Sequence, residues 1–134
     1  MNAYARAGLA AIIVFFCLDF IWLSQVSAGF YREAIGPHLA DNPDFVAAAA
    51  FYLLYFGGQM YFVIAPAVSR GTMSSAVFSG ALFGLVTYGT YDLTNMATLR
   101  DWPLSMTLID MAWGAFLTAS ASAAAYWFAY PRRA

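Results

Sequence analysis

Four long apolar segments constrain the fold of this chain more than any other feature of its sequence. They cover about residues 7–26, 45–68, 73–97 and 104–130, and each reaches the roughly 20 residues that a helix needs to cross the hydrocarbon core of a bilayer. Hydrophobic residues make up 63% of the chain and charged residues only 10%, whereas a soluble domain carries about 25% charged residues. The sequence therefore predicts an all-α integral membrane protein, a four-helix bundle that forms one domain over residues 1–134.

The stretches between the apolar segments contain residues that end helices. Residues 36–44 form a loop by their Gly, two Pro, Asn and Asp residues, and residues 69–71 form a tight connection. Residues 99–103 form a third connection, in which Pro103 suits the first turn of the helix that follows. All three are short, so little of the chain is predicted to lie outside the lipid bilayer.

The first apolar segment also has features of a secretory signal peptide. Arg6 precedes the apolar core, and the small residues Ser27 and Ala28 resemble a cleavage site. Asp19 and Trp22 are poor neighbours for such a site, and we therefore favour a retained membrane helix.

The arginines indicate an orientation, because positive residues accumulate on the cytoplasmic side of a membrane. Four crossings bring both termini and the 69–71 connection to one side. That side carries four arginines and no acidic residue: Arg6, Arg70, Arg132 and Arg133. The opposite side carries Arg32 and Arg100 together with four acidic residues. We therefore expect a multi-pass protein of the bacterial inner membrane with both termini in the cytoplasm.

Three aspartates fall inside the predicted crossings and at a similar depth. Asp19 comes late in the first, outgoing segment, Asp92 comes late in the third, and Asp110 comes early in the returning fourth segment. An ionised carboxylate in hydrocarbon costs at least about 2.5–3.5 kcal/mol, so these side chains should face the bundle interior or a wet cavity. The sequence predicts a pocket in the outer half of the membrane, where the three carboxylates meet.

Aromatic and amide side chains extend this predicted pocket. The first and fourth segments each contain D-x-x-W, and the second and third each contain Y-x-x-Y, which puts both members of a pair on one helical face. Tyrosine hydroxyls and an asparagine amide can donate hydrogen bonds to carboxylates. The candidate ligand-binding residues are Asp19, Trp22, Tyr52, Tyr55, Tyr88, Tyr91, Asp92, Asn95, Asp110 and Trp113.

The same residues also have structural interpretations. The acids could simply join helices, but polar contacts between membrane helices average only about 0.6 kcal/mol, which is small against their insertion cost. Gln59 could line the cavity floor or bond a facing backbone, and Arg32 or Arg100 could be a counter-ion to the acids. Gly80 and Gly84 stand four residues apart and would let a neighbouring helix approach closely.

The sequence also limits which other functions are reasonable. Cys17 is the single cysteine and His38 the single histidine, which leaves neither an intrachain disulfide nor a metal-binding motif. The net charge of −1 gives no indication of nucleic-acid binding. No cofactor and no metal are predicted.

The run YGTYDLTNMATLRDWPLSMTLIDMAWG, with LDFIWL, FYREAIG and YLLYFGG upstream, resembles a small bacterial membrane-protein family catalogued as domain of unknown function 2177. The resemblance extends over nearly the whole chain and implies a four-helix membrane protein. It implies no activity and no catalytic residue.

Three interpretations of function remain open from the sequence. The first is binding or transport of a small amphipathic, cationic ligand, with a homodimer as one way to form a translocation path. The second is an intramembrane enzyme acting on a lipid or isoprenoid, with Asp92 and Asp110 as the acid–base pair. The third is an accessory subunit that docks another membrane protein through the Gly80–Gly84 face.

Overall fold

The computed structural model describes residues 1–130, which are helical and contain no strand. Arg132 and Arg133, which contribute to the expected orientation, lie outside the described residues. The α-helices are α1 (Ala3–Ile21), α2 (Ala28–Ile35), α3 (Phe45–Gln59), α4 (Ala65–Arg70), α5 (Met73–Thr98) and α6 (Leu104–Ala129). Two π-helical turns, Trp22–Val26 and Met60–Ile64, extend α1 and join α3 to α4.

Local signals in the loops explain where several helices begin and end. Asp44 caps α3, and its Oδ1 accepts hydrogen bonds from the backbone N–H groups of Val46 and Ala47 at 2.9 and 3.0 Å. Gly71 ends α4 in the left-handed region with φ of 69°, where glycine carries no steric penalty. Pro103 directly precedes α6, as the sequence analysis expects.

Within residues 1–130, three stretches are long and apolar enough to cross a membrane: Ala3–Val26, Phe45–Arg70 and Leu104–Ala129. Helix α5 has 26 residues but is not among them, because its serines, threonines and glycines, with Asp92 and Asn95, lower its hydropathy. The structure therefore supports an all-helical protein with three candidate spans, which is less than the expected four-helix bundle.

Helix α2 is an element that the sequence analysis did not predict. The chain turns at Ser27, whose buried hydroxyl donates a hydrogen bond to the Trp22 carbonyl oxygen at 3.0 Å. Ile35 near the end of α2 then packs against Trp102 and Met106, which belong to the loop before α6 and to α6 itself. This contact places α2 across one end of the helix bundle.

Helices α5 and α6 pack most closely of all. A Cβ atom added at Gly84 would lie 2.1 Å from the carbonyl oxygen of Gly114, and one added at Gly80 would lie 2.7 Å from the Ser122 Oγ. The neighbour that the glycine step admits is therefore α6. Contact at this distance is possible only where a side chain is missing on α5.

One end of the bundle, which we call the closed end, is filled by small side chains and tied by hydrogen bonds. Arg6 donates to the carbonyl oxygens of Phe128 and Ala129 at 3.2 and 3.0 Å, and the Tyr130 hydroxyl donates to that of Val68. The alanines that fill this end have at most 2% exposure: Ala7, Ala11, Ala121, Ala125 and Ala129.

The opposite end, which we call the cavity end, is packed less closely. Helix α3 contacts α1 here through rings, with 6.2 Å between the ring centroids of Phe15 and Tyr52. The first residues of α3 are strongly exposed, and Val46 retains 80% of its accessible surface. Large side chains at this end hold α3 away from its neighbours and leave space between the helices.

Candidate functional site

A cavity of about 380 Å³, the main cavity, lies at the cavity end between α1, α2, α5 and α6. Its volume falls in the range of about 300–1,000 Å³ that is usual for small-molecule sites. It is lined by Asp19, Trp22, Leu23, Tyr31, Ile35, Leu39, Tyr88, Tyr91, Met106, Asp110 and Trp113.

Asp110 of α6 is held in this cavity by a chain of hydrogen bonds from α1 and α2. The Tyr31 hydroxyl donates to Asp110 Oδ1, and the indole N–H of Trp22 donates to the Tyr31 oxygen at 3.1 Å. Burial, together with this bond to the carboxylate, raises the pKa of Tyr31 above its ordinary value. Tyr31 therefore stays protonated and serves as the donor at neutral pH.

Asp19 of α1 occupies the other side of the main cavity and is bonded by a different tryptophan. The indole N–H of Trp113 donates to Asp19 Oδ1 at 3.3 Å. The rings of Trp113 and Trp22 stack with 4.4 Å between centroids and 9° between planes. The tryptophan of each D-x-x-W motif thus interacts with the aspartate of the other motif. Trp113 bonds Asp19 directly, and Trp22 bonds Asp110 through Tyr31.

Asp92 of α5 differs from the other two aspartates because it is fully buried, with 0% exposure. No N–H or hydroxyl group among residues 1–130 donates to either carboxylate oxygen, so its one possible hydrogen bond is with the carboxyl of Asp110, which requires a proton on one of the two. Asp110 lies close enough to interact electrostatically with both Asp92 and Asp19. Asp110 of α6 is therefore near one carboxyl group of α1 and one of α5, an arrangement that can attract a cation or share a proton.

A second cavity of about 300 Å³, the side cavity, lies between α3 and α5. Tyr88, Tyr91 and Asp110 line both cavities, and Phe51 and Thr87 complete the side cavity. Tyr88 is fixed from behind, because its ring covers Gly114 so closely that an added Cβ there would lie 2.2 Å from it. The two tyrosines therefore form a partition, and Asp110 can be reached from either side of it.

Six of the ten residues predicted to bind a ligand line the main cavity: Asp19, Trp22, Tyr88, Tyr91, Asp110 and Trp113. Asp92 lies behind them next to Asp110.

Tyr52, Tyr55 and Asn95 are absent from the linings of the main and side cavities. The Tyr55 oxygen lies 2.5 Å from Thr118 Oγ1, and Thr118 follows Asp110 by two helical turns, roughly 12 Å along α6. Tyr55 thus sits deeper in the bundle than its place in the second apolar segment suggests, and Tyr52 is taken up by ring contacts with α1.

Tyr31 is the site residue that the sequence analysis missed. It follows the first apolar segment beside Arg32 and Glu33, a position typical of an interfacial anchor. The available signal was its spacing of four residues from Ile35, which puts both on one face of a short amphipathic helix. Arg32 and Arg100, the candidate counter-ions, are exposed and line neither cavity.

Gln59 lies at the centre of the bundle and bonds a facing helix. Its Nε2 donates to Ser122 Oγ at 3.0 Å, while its Oε1 is fully buried with no partner in the part of the chain that the structure describes. Gln59 therefore contacts a facing helix through a side-chain hydroxyl rather than through its backbone, and it lines neither the main nor the side cavity.

Fold and composition define an all-helical membrane protein with three candidate spans and a group of carboxylates between its helices. The chain belongs to the family described as "Predicted membrane protein (DUF2177)", whose sequence model matches residues 4–127. The family resemblance stated from the sequence is thereby confirmed. No curated protein and no solved structure matches the chain.

Proposed function

We propose that this protein crosses the bacterial inner membrane four times and binds a small amphipathic ligand in the main cavity. Helix α5 is the fourth crossing, since its 26 residues span about 39 Å, more than the hydrocarbon core of a bilayer. Its glycine face lies against α6, and its buried Asp92 faces protein, so the low hydropathy of α5 does not expose charge to lipid. Four crossings put both termini on the arginine-rich, cytoplasmic side.

The observation that carries the binding function is the environment of Asp92. A carboxylate retained to join helices should be hydrogen-bonded, because a buried polar group without a partner costs about 1–3 kcal/mol. Asp92 is fully buried, no N–H or hydroxyl group of the described residues donates to its oxygens, and its neighbour is a second carboxyl, Asp110, with which it can hydrogen-bond only when one of the two carries a proton. Such an arrangement is unfavourable for stability and favours a role in holding a proton or a ligand.

Binding is better supported than transport because the described residues of the closed end are closely packed. Leu117, Ala121 and Ala125 have 0% exposure, and Arg6 ties the end of α6 to the start of α1. A ligand leaving toward this end would have to separate packed helices, so transport requires a second arrangement of the bundle or a second copy of the chain.

An intramembrane enzyme is the second candidate, and the side cavity favours it. It offers a lipid-borne group access to Asp110 from between α3 and α5. Asp92 is sealed, whereas Asp110 retains 8% exposure, and such unequal environments let one carboxyl act as acid and the other as base. An accessory subunit is less well supported, because α6 already covers the Gly80–Gly84 face.

Mass spectrometry of lipids and small molecules that co-purify with the protein tests the binding function. We expect a species that accompanies wild type and is lost from Asp92→Asn. Asp101→Asn is the matched control, because Asp101 lies in an exposed loop with φ of 56°, a conformation that asparagine tolerates well. Identical ligand sets from all three proteins would contradict the proposal.

A further inference from the structure

The two cavities share one carboxylate but differ in what surrounds them. The main cavity is bounded by four helices and contains Asp19 and both stacked tryptophans. The side cavity lies between α3 and α5 with Asp110 of α6 in its lining, and Phe51 at its rim is still 49% exposed. Asp110 lies where the two spaces meet. One molecule with a polar end and an apolar end could therefore occupy both.

The gap between α3 and α5 gives the side cavity access to acyl chains. Helix α3 is held away from the bundle at the cavity end, where Leu53 and Leu54 remain 77% and 79% exposed. With α5 as a crossing helix, as proposed above, these exposed side chains face lipid and the gap opens sideways. An aliphatic chain in the gap would lie against Phe51 and the methyl group of Thr87.

The chemistry of the main cavity selects for a cation. Two carboxylates line it, a third lies behind, and no lysine or arginine is among its lining residues. The aromatic faces of Trp22, Trp113 and Tyr88 add to the attraction for positive charge. Tyr31 now donates to Asp110, and an ammonium group, with three N–H donors, can replace that single bond and also reach Asp19.

We infer that the ligand is a single-chain amphiphile with a cationic amine head, its head in the main cavity between Asp110 and Asp19 and its chain in the α3–α5 gap. This inference rests on the proposed function and names the ligand class for the same site. Asp110 binds the head, Thr87 borders the chain, and Tyr31 holds Asp110 until the amine replaces it.

Native mass spectrometry of the full chain, titrated with dodecylamine and with dodecan-1-ol, tests the head group. We expect the amine to bind about tenfold more tightly than the alcohol, since hydrogen bonds between charged partners are the stronger ones. Asp110→Asn should abolish the preference, and Asp101→Asn should retain it. Tyr31→Phe, which removes the competing donor, should bind the amine more tightly than wild type. This variant tests the same head-group site if Asp110→Asn does not fold.

A pair of threonine variants tests the position of the chain. Thr87→Leu fills the side cavity and should weaken dodecylamine binding about tenfold, as expected for overpacking an occupied space, while butylamine binding stays unchanged. Thr90→Leu is the matched control, because Thr90 also donates to the backbone of α5 but lies outside the side cavity.

The outcomes separate this inference from the proposed function. Equal binding of amine and alcohol to wild type would overturn the cationic head and leave the pocket intact. Unchanged dodecylamine binding by Thr87→Leu would overturn the lateral position of the chain. No binding of either probe would overturn the inference altogether, while a co-purified species lost from Asp92→Asn would still support the proposed function.

Discussion

The two ends of this bundle are built from the same helices in opposite ways. From the aspartates toward the closed end, α5 and α6 meet through Gly80, Gly84 and Gly114, so closely that no Cβ fits at Gly80 or Gly84. At the cavity end, the same two helices present Asp92 and Asp110 to each other, with two cavities beside them. Close packing at one end can stabilise the bundle enough to tolerate unfavourable charge at the other.

Polar residues show the same contrast. Near the middle of the bundle, Gln59 and Tyr55 each pair with a hydroxyl group of α6. At the cavity end, no N–H or hydroxyl group within residues 1–130 donates to Asp92, whose neighbour is a second carboxyl, Asp110. This contrast is the one expected under the proposed function, in which Asp92 is retained to hold a ligand or a proton.

The largest effect is expected where the helices approach most closely. Gly84→Ala would put a methyl group 2.1 Å from the Gly114 carbonyl oxygen, and because that obstacle is backbone, the helices must separate. We expect the free energy of unfolding to fall by about 3 kcal/mol, the upper end of the usual cost of overpacking. Reversible unfolding in mixed detergent micelles measures this change.

Gly57→Ala is the matched control for that variant. Nothing lies within 4 Å of a Cβ added at Gly57, so the substitution should stabilise α3 by up to about 1 kcal/mol through helix propensity. If Gly84→Ala were as stable as Gly57→Ala, α5 and α6 would not be close-packed between the aspartates and the closed end, and the comparison would fail.

Two aspartates with opposite roles give the next prediction. Asp92→Leu removes a fully buried carboxylate that accepts no hydrogen bond from an N–H or hydroxyl group of the described residues and lies beside a second carboxyl, and we expect it to raise the free energy of unfolding by about 1–3 kcal/mol. Asp44→Ala removes the cap of α3 and should lower it by about 1 kcal/mol. The same micelle titration measures both.

The sign of the Asp92→Leu change separates function from structure. A gain in stability together with loss of the co-purified ligand would mean that Asp92 is retained for function at a cost to stability. A loss of stability as large as that of Gly84→Ala would mean that Asp92 joins the helices, and the contrast between the two ends would lose its functional meaning.

Local signals in the sequence predict where the helices lie and that the three aspartates face the interior of the bundle. Apolar length, Pro103 and Gly71 mark where helices begin and end, and the cost of charge in lipid requires Asp19, Asp92 and Asp110 to face inward. The glycine step likewise predicts a close neighbour. Each of these rules depends only on the chemistry of one segment and its solvent.

The position of Tyr31 and the depth of Tyr55 could not be predicted, because they depend on how separate segments pack against each other. The π-helical turn at Trp22–Val26 precedes the reversal of the chain that brings Tyr31 to Asp110, and no local pattern states where a helix that leaves the membrane will turn. Tyr55 was expected at the level of the acids, but its depth depends on how α3 is positioned relative to α6, which only the contact with Thr118 reveals.

The smallest effect is expected from a single hydroxyl in the middle of the bundle. Tyr55→Phe removes the contact with Thr118 Oγ1 at 2.5 Å and should cost about 0.6 kcal/mol, the average for hydrogen bonds between membrane helices. Tyr61→Phe is the control, since Tyr61 is 73% exposed and should change nothing measurable. Both variants should retain the co-purified ligand, because Tyr55 lines neither cavity. If Tyr55→Phe lost the ligand, the ligand-binding region would extend from the cavity end toward the closed end, and the two ends would no longer differ in function.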